Sequence, residues 1–441
     1  MAGNTLTLLA GALKKDYHGP IVDTLNNMTP LMSLLDKDYE SVAGTSLQAV
    51  VPIKLRSTQG IGAIAEGSAL PVAKYVKTAQ LLISLAYNYG SIKFTGQAIA
   101  ASRKSATAFA NVIDLEVNDM TSSMKVDTNR QFYGDGSGWL AITNGTGSGA
   151  HLVTVDNPGT QYLRPGMAIQ SFADLDTPVA DSDDISHGKS VGSEDIVKSI
   201  PSSTTFELGT SADAEASETW ADDRYICRAQ AAGNEMIGLK AIVDNEAIKA
   251  TSSWYGLGDA TTTIHGLSRS TYPRLDSVIV HNDNVNTNIT EARIQELLDD
   301  IEDESGKQDS AATQILMTTK GVRKAYVDLL AADRRYVKPL QLIGGWQAIG
   351  YQAGNRLIPM LVDKHCIPNT MFALDRRYLK IYRAGDYDWM SGPTGGDNMF
   401  RQTITSSGGT EDAYEANMFV YQGLGCSSFK NQGALRDITE L

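Results

Sequence analysis

The amino-acid sequence predicts an α+β fold in which a long β-hairpin and a long helix precede a region of mixed helices and strands. Apolar and polar residues alternate over about 47–92, which is typical of two paired strands. Apolar residues recur at steps of three and four over about 98–133, which is typical of an amphipathic helix. After Asn234 short helical and strand patterns follow one another, so we expect a helix-flanked sheet there.

Length and composition indicate a folded protein of more than one compact unit. The chain has 441 residues, of which 42% are hydrophobic and 20% charged. Its net charge of −13 argues against a protein whose main task is to bind nucleic acid, because phosphate neutralisation needs clustered Lys and Arg. The sequence shows neither a charged segment before its first apolar stretch nor an apolar run of about 18 residues. We therefore expect no secretion signal and no membrane span.

The first 96 residues predict an extended arm and then a hairpin. Residues 1–45 contain short apolar patches without a sustained period, so this arm must lie against another part of the chain or a neighbouring subunit. The first strand lapses at Val50, and its apolar side is formed by Ala49, Val51, Ile53 and Leu55. A partner strand is predicted at about 76–92, with a glycine-rich tip over 60–71. Because a two-stranded hairpin is not stable alone in water, it needs a surface to lie on.

The helix after the hairpin is predicted at about 98–133, with Gly134 just past its end. Its apolar face is formed by Ala106, Phe109, Ile113, Val117, Met120 and Met124. At ~1.5 Å per residue it would be roughly 50 Å long. A helix of that length serves as a strut.

Residues 140–232 predict a small β domain inserted after the helix. Turn sequences at 157–159 and 164–166 combine Pro and Gly, which supply the backbone angles of tight turns. Strand-like runs separate them at Leu152–Val155, Met167–Phe172, Thr204–Leu208 and Tyr225–Arg228. Between Ala173 and Asp223 there are thirteen Asp or Glu residues and two Lys. Most of the negative charge of the chain therefore belongs to this insertion.

The last region predicts helices packed on a sheet. A helix is expected to begin at about 288–291, and its apolar face is formed by Ile294, Leu297, Leu298 and Ile301. A buried strand is expected at 314–318, and Thr319 is the predicted cap of a second helix through Val322, Tyr326 and Leu330. Further strands are predicted at 357–362, 371–374, 379–382 and 415–421.

Sequence motifs of catalysis and of metal binding are missing. The chain contains no P-loop, no G-x-S-x-G and no HExxH sequence. The glycine-rich segment 145–149 leads into a strand, so it is interpreted as a flexible connector rather than a dinucleotide loop. Asp181-Ser-Asp183-Asp184 lacks the glycine and distal glutamate of a calcium loop, so we expect a solvated acidic loop.

The histidines and cysteines are isolated in the sequence, and tight pairs of arginines are few. The histidines are interpreted as structural or solvated; they are His18, His151, His187, His265, His281 and His365. The cysteines lack metal or disulfide spacing and indicate a reducing compartment; they are Cys227, Cys366 and Cys426. The basic pairs 334–335 and 376–377 are too few for a nucleic-acid groove, and we expect surface salt bridges or subunit contacts. We predict no catalytic, metal-binding or cofactor-binding residue and no cofactor.

The order of these parts resembles the major capsid proteins of tailed bacteriophages with the Hong Kong 97 type fold. The stretches that look similar to this family are Val50–Ile53, Ala65–Pro71, Lys93–Gly96, Ile315–Tyr326 and Leu329–Tyr336. The resemblance covers nearly the whole chain apart from about 140–232.

The resemblance implies a division of the chain into named parts. Residues 1–45 correspond to the N-terminal arm and 46–96 to the E-loop hairpin, whose tip lies over a neighbouring subunit in the family. Residues 97–139 correspond to the spine helix and part of the P-domain. Residues 140–232 are the acidic β-rich insertion, and 233–441 are the A-domain with returning P-domain strands.

The resemblance also implies a function, which is structural and not enzymatic. The protein would self-assemble as hexamers and pentamers into an icosahedral head enclosing phage double-stranded DNA, located in the virion and assembled in the host bacterial cytoplasm. Its partners would be further copies of itself, a scaffolding protein, a portal protein, optionally a decoration protein, and DNA contacted weakly and without sequence specificity. Only about 45 residues precede the hairpin, which favours a separate scaffolding protein over a fused one. No covalent crosslink is assigned to Lys74 or Lys77.

Three alternatives are kept open. An encapsulin-type nanocompartment shell has the same fold and would enclose protein cargo. A secreted β-rich enzyme, such as a carbohydrate-active one, would explain the turn-rich centre but lacks paired catalytic motifs. A phage tail or decoration protein rarely needs a strut helix followed by an α/β domain.

Overall fold

The structure is a computed structural model that describes residues 29–40, 42–43, 47–97, 106–156, 158–173, 184–186, 189, 194–211, 214–248, 262–307, 313–332, 340–341, 347–354, 356–390, 401–404 and 410–441. Most of the predicted arm 1–45 lies outside these residues. The helices are α1 (Pro30–Leu34), α2 (Ala106–Gln131), α3 (Leu239–Ile242), α4 (Glu291–Ser305) and α5 (Lys320–Ala332).

The strands of the described residues form several separate sheets. In chain order they are β1 (Asp36–Asp38), β2 (Val42–Ala43), β3 (Gln48–Arg56), β4 (Lys77–Ser84), β5 (Ala86–Thr95), β6 (Trp139–Ile142), β7 (Gly147–Ala150), β8 (Leu152–Thr154), β9 (Ile169–Phe172), β10 (Ile196–Ser202), β11 (Thr205–Gly209), β12 (Glu218–Trp220), β13 (Tyr225–Arg228), β14 (Thr263–Ile264), β15 (Leu267–Ser268), β16 (Val278–Val280), β17 (Ile315–Thr318), β18 (Leu340–Gln341), β19 (Gln347–Ala353), β20 (Arg356–Val362), β21 (Met371–Leu374), β22 (Leu379–Arg383), β23 (Asp388–Trp389), β24 (Arg401–Ile404), β25 (Thr410–Cys426) and β26 (Gly433–Leu435).

Strands β3 and β4 form the predicted hairpin, with β2 on the other side of β3. They pair antiparallel from Gln48↔Ser84 to Arg56↔Lys77. The predicted alternation is confirmed, since Ala49 and Leu55 are buried while Val50 is exposed. The single strand predicted at 76–92 is wrong, because the chain leaves this sheet at Leu85 and β5 joins another. In the sequence, apolar and aromatic residues keep alternating across this break, at Leu81, Ile83, Leu85, Tyr87 and Tyr89. The alternation in sequence therefore gives no sign that the chain changes sheets.

Strand β25 is the centre of a six-stranded sheet covered on one face by α2. Strand β5 pairs with it antiparallel over ten residues, and β22, β23 and β24 pair with it elsewhere along its length. Gly90 lies under α2, where a side chain would collide with the sulfur of Met120 at 2.5 Å. The predicted beginning of the helix near 98 lies outside the described residues, and its predicted end is confirmed within two residues.

Residues 139–228, the small-sheet region, form three sheets around a core of their own. The sheet orders are β6-β13-β9, β10-β11-β8 and β7-β12. The buried core includes Leu140, Val153, Ile169, Val197, Phe206, Leu208, Trp220 and Ile226. The interpretation of 145–149 as a flexible connector is wrong, because Gly147–Ala150 is strand β7. The Trp220 ring lies so close to Gly147 that only a residue without a side chain fits there.

The last region contains a seven-stranded sheet with the order β16-β26-β21-β17-β20-β19-β18. The predicted apolar face of α4 is confirmed, and its four residues are fully or almost fully buried. Thr290 caps this helix by accepting a hydrogen bond from the Arg293 N–H, and Gly306 ends it with φ 66°. Thr319 caps α5 as predicted, accepting from the Val322 N–H at 3.3 Å.

Candidate inter-subunit surfaces

The hairpin ends in an extended tip, residues 57–76, that has no regular secondary structure and exposes apolar side chains. Ile61, Leu70, Val72 and Tyr75 are each about four-fifths exposed, at 78%, 81%, 81% and 82%. Inside the tip, one turn hydrogen bond joins the Ser68 N–H to the Ala65 carbonyl. Apolar side chains clustered on an exposed projection are typical of a surface that contacts another molecule.

The hairpin is also basic, in contrast to the chain as a whole. Over residues 48–84 the cationic residues are Lys54, Arg56, Lys74 and Lys77, and the acidic one is Glu66. The chain carries −13 in all. A basic, apolar hairpin is thus complementary in charge to the rest of another copy of the same chain.

A second apolar surface lies on the β5–β25 sheet, on the face opposite α2. This aromatic face consists of Tyr87, Tyr89, Phe419 and Tyr421. The Tyr87 and Tyr421 rings meet edge to face, 5.0 Å between centroids, and the Tyr89 and Tyr421 hydroxyl oxygens are 3.2 Å apart. This hydrogen bond, with burial as the lesser cause, raises the pKa of Tyr421 to about 12. Both Tyr87 and Tyr89 are more than half exposed.

The aromatic face is not predictable as a unit from the sequence. Tyr87 and Tyr89 lie within the strand predicted at about 76–92, but their partners lie more than 300 residues later in the chain. Strand β25 also has aromatic residues at alternate positions, 419 and 421, which matches the spacing of the two tyrosines on β5. Only the antiparallel register of β5 and β25 brings the two pairs together.

The small-sheet region is anchored on the end of α2 and on the loop after β20. The Tyr162 hydroxyl donates to the His365 carbonyl at 3.2 Å, and an Arg164 guanidinium nitrogen lies 3.4 Å from His365 Nε2. Asn129 in the last turn of α2 and Tyr133 just after the helix donate to the Asp363 carboxylate at 2.8 and 3.1 Å. Three parts of the chain therefore meet at one buried polar junction.

The histidines that the structure describes do not form a catalytic arrangement. His265 and His365 are buried, and burial lowers the pKa of each, so both rings are neutral near pH 7. His151 and His281 lie 3.7 and 3.3 Å from single carboxylates. His18 and His187 lie outside the described residues.

The solvated acidic loop predicted at 181–184 is wrong for Asp184. This carboxylate is buried, accepts a hydrogen bond from the Ser171 hydroxyl at 3.1 Å and lies 3.6 Å from the Arg224 guanidinium. Asp181 and Asp183 lie outside the described residues. Asp195 is likewise buried and paired with Lys189. Part of the acidity of this region therefore stabilises its interior rather than charging its surface.

The remaining reactive residues are structural where the structure describes them. Burial raises the pKa of each cysteine thiol, and that of Cys426 reaches about 12. Arg377 pairs with Asp375 at 2.6 Å, whereas the pair 334–335 lies outside the described residues. Within the described residues no group of three or more His, Cys, Asp or Glu is placed to bind a metal ion. None of the helices described here combines the length and apolar character needed to span a membrane.

This chain is similar to known proteins in structure but not detectably in sequence. No protein-family model and no curated protein sequence matches it. The chain is similar to the capsid asymmetric unit of cyanophage A-1(L), with a TM-score of 0.54 and 15% identity over 99% of this chain and 98% of that one. Weaker likenesses include the capsid of a native GTA particle (TM-score 0.46, 10% identity, 99% and 100% covered) and the holo-SrpI encapsulin complex from Synechococcus elongatus (0.41, 8%, 99% and 96%). At this identity the first likeness shows the fold, which is that of a phage capsid protein with mixed helices and strands.

Proposed function

We propose that this chain, which has the fold of a phage capsid protein, is the major capsid protein of a tailed bacteriophage. Copies of it would assemble as hexamers and pentamers into an icosahedral head that encloses double-stranded DNA. The observation that carries the proposal is a capsid fold along 99% of the chain, with an apolar hairpin tip projecting from it. Its role is structural rather than enzymatic.

The parts of the Hong Kong 97 type fold are assigned as follows. We assign β3, β4 and the tip to the E-loop, α2 to the spine helix, the β5–β25 sheet to the P-domain and the seven-stranded sheet to the A-domain. The small-sheet region is the inserted domain of 140–232, and 1–45 is the N-terminal arm. Strand β5, placed with the hairpin range 46–96 from sequence, pairs with β25 and so belongs with the P-domain.

The exposed tip supports assembly because a monomer cannot bury it. Strand β4 has eight residues, so the tip begins roughly 26 Å from the end of that strand at Ser84, where the chain passes into the β5–β25 sheet. We propose that each copy covers a neighbour with its tip and is covered by another. Such a heterologous contact closes into a ring when a whole number of copies, each rotated by the same angle, completes a full turn.

The other partners follow from the same proposal. A separate scaffolding protein and a portal protein would act during assembly in the host bacterial cytoplasm, and a decoration protein would bind the finished virion. DNA would be contacted weakly, because the chain is acidic. We place the acidic insertion on the outer face, where its repeated charge does not repel DNA. A cryo-EM map with residues 173–223 facing the lumen would contradict that placement.

The first experiment tests assembly and the role of the tip together. The full chain is expressed alone and with its scaffolding protein, and the product is imaged by negative-stain electron microscopy. We expect closed shells or hexameric and pentameric rings. The triple variant Leu70→Ser, Val72→Ser, Tyr75→Ser should remain folded, because these side chains are exposed, and should stay monomeric.

A matched control removes an exposed apolar side chain elsewhere. Val285 is 60% exposed on the body of the protein, so Val285→Ser should assemble like the wild type. A monomeric wild type under both conditions would contradict the proposal. Purified shells that contain protein cargo and no DNA, made alongside the genes native to this chain, would favour a nanocompartment shell instead.

A further inference from the structure

We propose that Arg269 is a positioning residue for assembly: it fixes a short loop that sets the angle at which the hairpin leaves the body. This loop, the saddle, comprises residues 262–276. The inference rests on the proposed function, because the angle matters only if the tip must meet a neighbouring copy.

Arg269 is fully buried and bound on several sides. Its guanidinium donates to the carbonyl of Ala241 at 2.6 Å, to that of Ile242 at 3.1 Å and to that of Asp244. The Ala241 and Ile242 carbonyls lie at the end of α3, where they lack partners within the helix, and Asp244 lies two residues beyond it. Asp276 supplies the counter-charge at 3.5 Å. The arginine therefore attaches the saddle to the main core through its rigid, planar donor group.

The saddle itself is a tight turn built around this arginine. Strands β14 and β15 are joined through His265 and Gly266, whose φ angles are 48° and 82°. Two successive positive φ angles are typical of the tightest β-hairpin turns. The Arg269 N–H donates to the Thr262 carbonyl at 2.9 Å, and Ile264 is buried in the main core. Movement of Arg269 would therefore move the whole turn.

The saddle contacts the hairpin at two separate points on β4. The Leu82 N–H donates to the His265 carbonyl at 3.0 Å. Five residues away, the Lys77 ammonium lies over the Tyr272 ring, 4.7 Å from its centroid. One contact would fix only the position of β4. Two contacts separated by roughly 16 Å also fix its direction.

The direction of β4 has a large effect at the tip. The stem is a lever of roughly 26 Å, so a rotation of about 10° at its base moves the tip by roughly 5 Å. A ring or shell closes only for a particular rotation between copies. A saddle that tilts should therefore still allow contacts between neighbours but should change the curvature they produce.

The test compares Arg269→Met with a matched variant of another fully buried arginine. Arg383 is 1% exposed, and its guanidinium donates to Gln422 and Asp386, which belong neither to the saddle nor to the hairpin. Hydrogen exchange of residues 77–84 in disassembled subunits reports on the attachment of β4, and cryo-EM reports on shell diameter. We expect Arg269→Met to speed exchange of the Leu82 amide at least tenfold and to give shells of mixed diameter or open sheets.

Arg383→Met should lower thermal stability to a similar degree. It should leave the hydrogen-exchange rates of β4 and the shell diameter as in the wild type. Wild-type exchange and diameter in Arg269→Met, or equal polymorphism in Arg383→Met, would overturn the inference. If Arg269→Met does not fold, the double variant Tyr272→Ala with Lys77→Ala removes one of the two contacts without leaving a buried charge unpaired, and it should broaden the diameters in the same direction. Unchanged diameters would again overturn the inference. Hydrogen exchange is measured on disassembled subunits, so it tests the role of Arg269 even if no shells form. A wild-type chain that forms no shells would contradict the proposed function and not this inference.

Discussion

Single buried polar residues join the parts of this chain where apolar packing is interrupted. Lys240 and Asp135 pair at 2.6 Å beside the end of α2. Burial alone would raise the pKa of Asp135, and the ion pair with Lys240 lowers it to about 2. Arg130 binds Glu235 and Asp127 in the same way. Removal of one partner would leave an unpaired charge buried, so such pairs are costly to break even where their net contribution to stability is small.

The buried ring of His265 should make the free energy of unfolding depend on pH. Burial, and then the charge of Arg269, lower its pKa from 6.5 to about 4. Between these values the unfolded chain binds a proton that the folded chain does not, so stability falls as the pH falls from 6.5 towards 4. The loss is about 1.4 kcal/mol per pH unit and about 3 kcal/mol in all.

The measurement is urea unfolding of the subunit from pH 4 to pH 8. His265→Asn should remove this part of the pH slope, and asparagine tolerates the positive φ of the position. An unchanged slope in the variant would show that His265 is not the group responsible. His365→Asn is the control for the second buried histidine.

At the scale of elements, the small-sheet region has a core of its own, and its first and last strands lie side by side. Its first and last strands, β6 and β13, pair with Cys227 opposite Trp139. A chain segment whose ends lie side by side can be removed without stretching what remains. Its contacts with the rest of the molecule include the polar ones of Gln161, Tyr162 and Arg164.

We therefore expect that replacing residues 140–226 by a short Gly-Ser linker leaves a chain that folds and assembles. Its melting temperature should fall, because the junction at His365 loses its partners. Size-exclusion chromatography and electron microscopy measure the outcome. Loss of assembly would mean that the region takes part in contacts between copies.

The core of the region provides a second prediction at this scale. Phe206 is fully buried within it, so Phe206→Ala should cost about 3–5 kcal/mol and unfold this region locally. Protease sensitivity should rise within 139–228 and not in the seven-stranded sheet. Phe372→Ala, in the main core, is the contrasting variant and should expose the whole chain to protease.

At the scale of the whole molecule, the hairpin 48–84 carries a net positive charge while the chain as a whole is acidic, and the tip and the aromatic face both remain at least partly exposed within one chain. A contact in which each copy both gives and receives a tip spreads the effect of one defective copy to its neighbours. Doping wild-type subunits with one fifth of the triple tip variant should therefore lower the yield of closed shells by more than one fifth. A proportional loss, counted by electron microscopy, would indicate that copies assemble independently of the tip.

Periodicity determined the elements whose neighbours lie close in sequence. The alternation around Ala49 and Leu55 predicted the hairpin, and spacings of three and four predicted the buried faces of α4 and α5. Cap chemistry predicted where these helices begin, at about 288–291 for α4 and at Thr319 for α5. These features depend on local geometry, which a window of a few residues contains in full.

Features that depend on pairing over long distances were decided by the tertiary structure alone. The break at Leu85 follows from the choice of β25 as the partner of β5, 300 residues away, and the aromatic face follows from the same register. Asp184 is buried because Ser171 and Arg224 meet it from other strands, although its own neighbours in sequence are polar. The sequence by itself determined which segments are strands, helices and apolar surfaces; the tertiary structure decided which of them meet, because burial and hydrogen-bond partners are properties of contacts between distant residues.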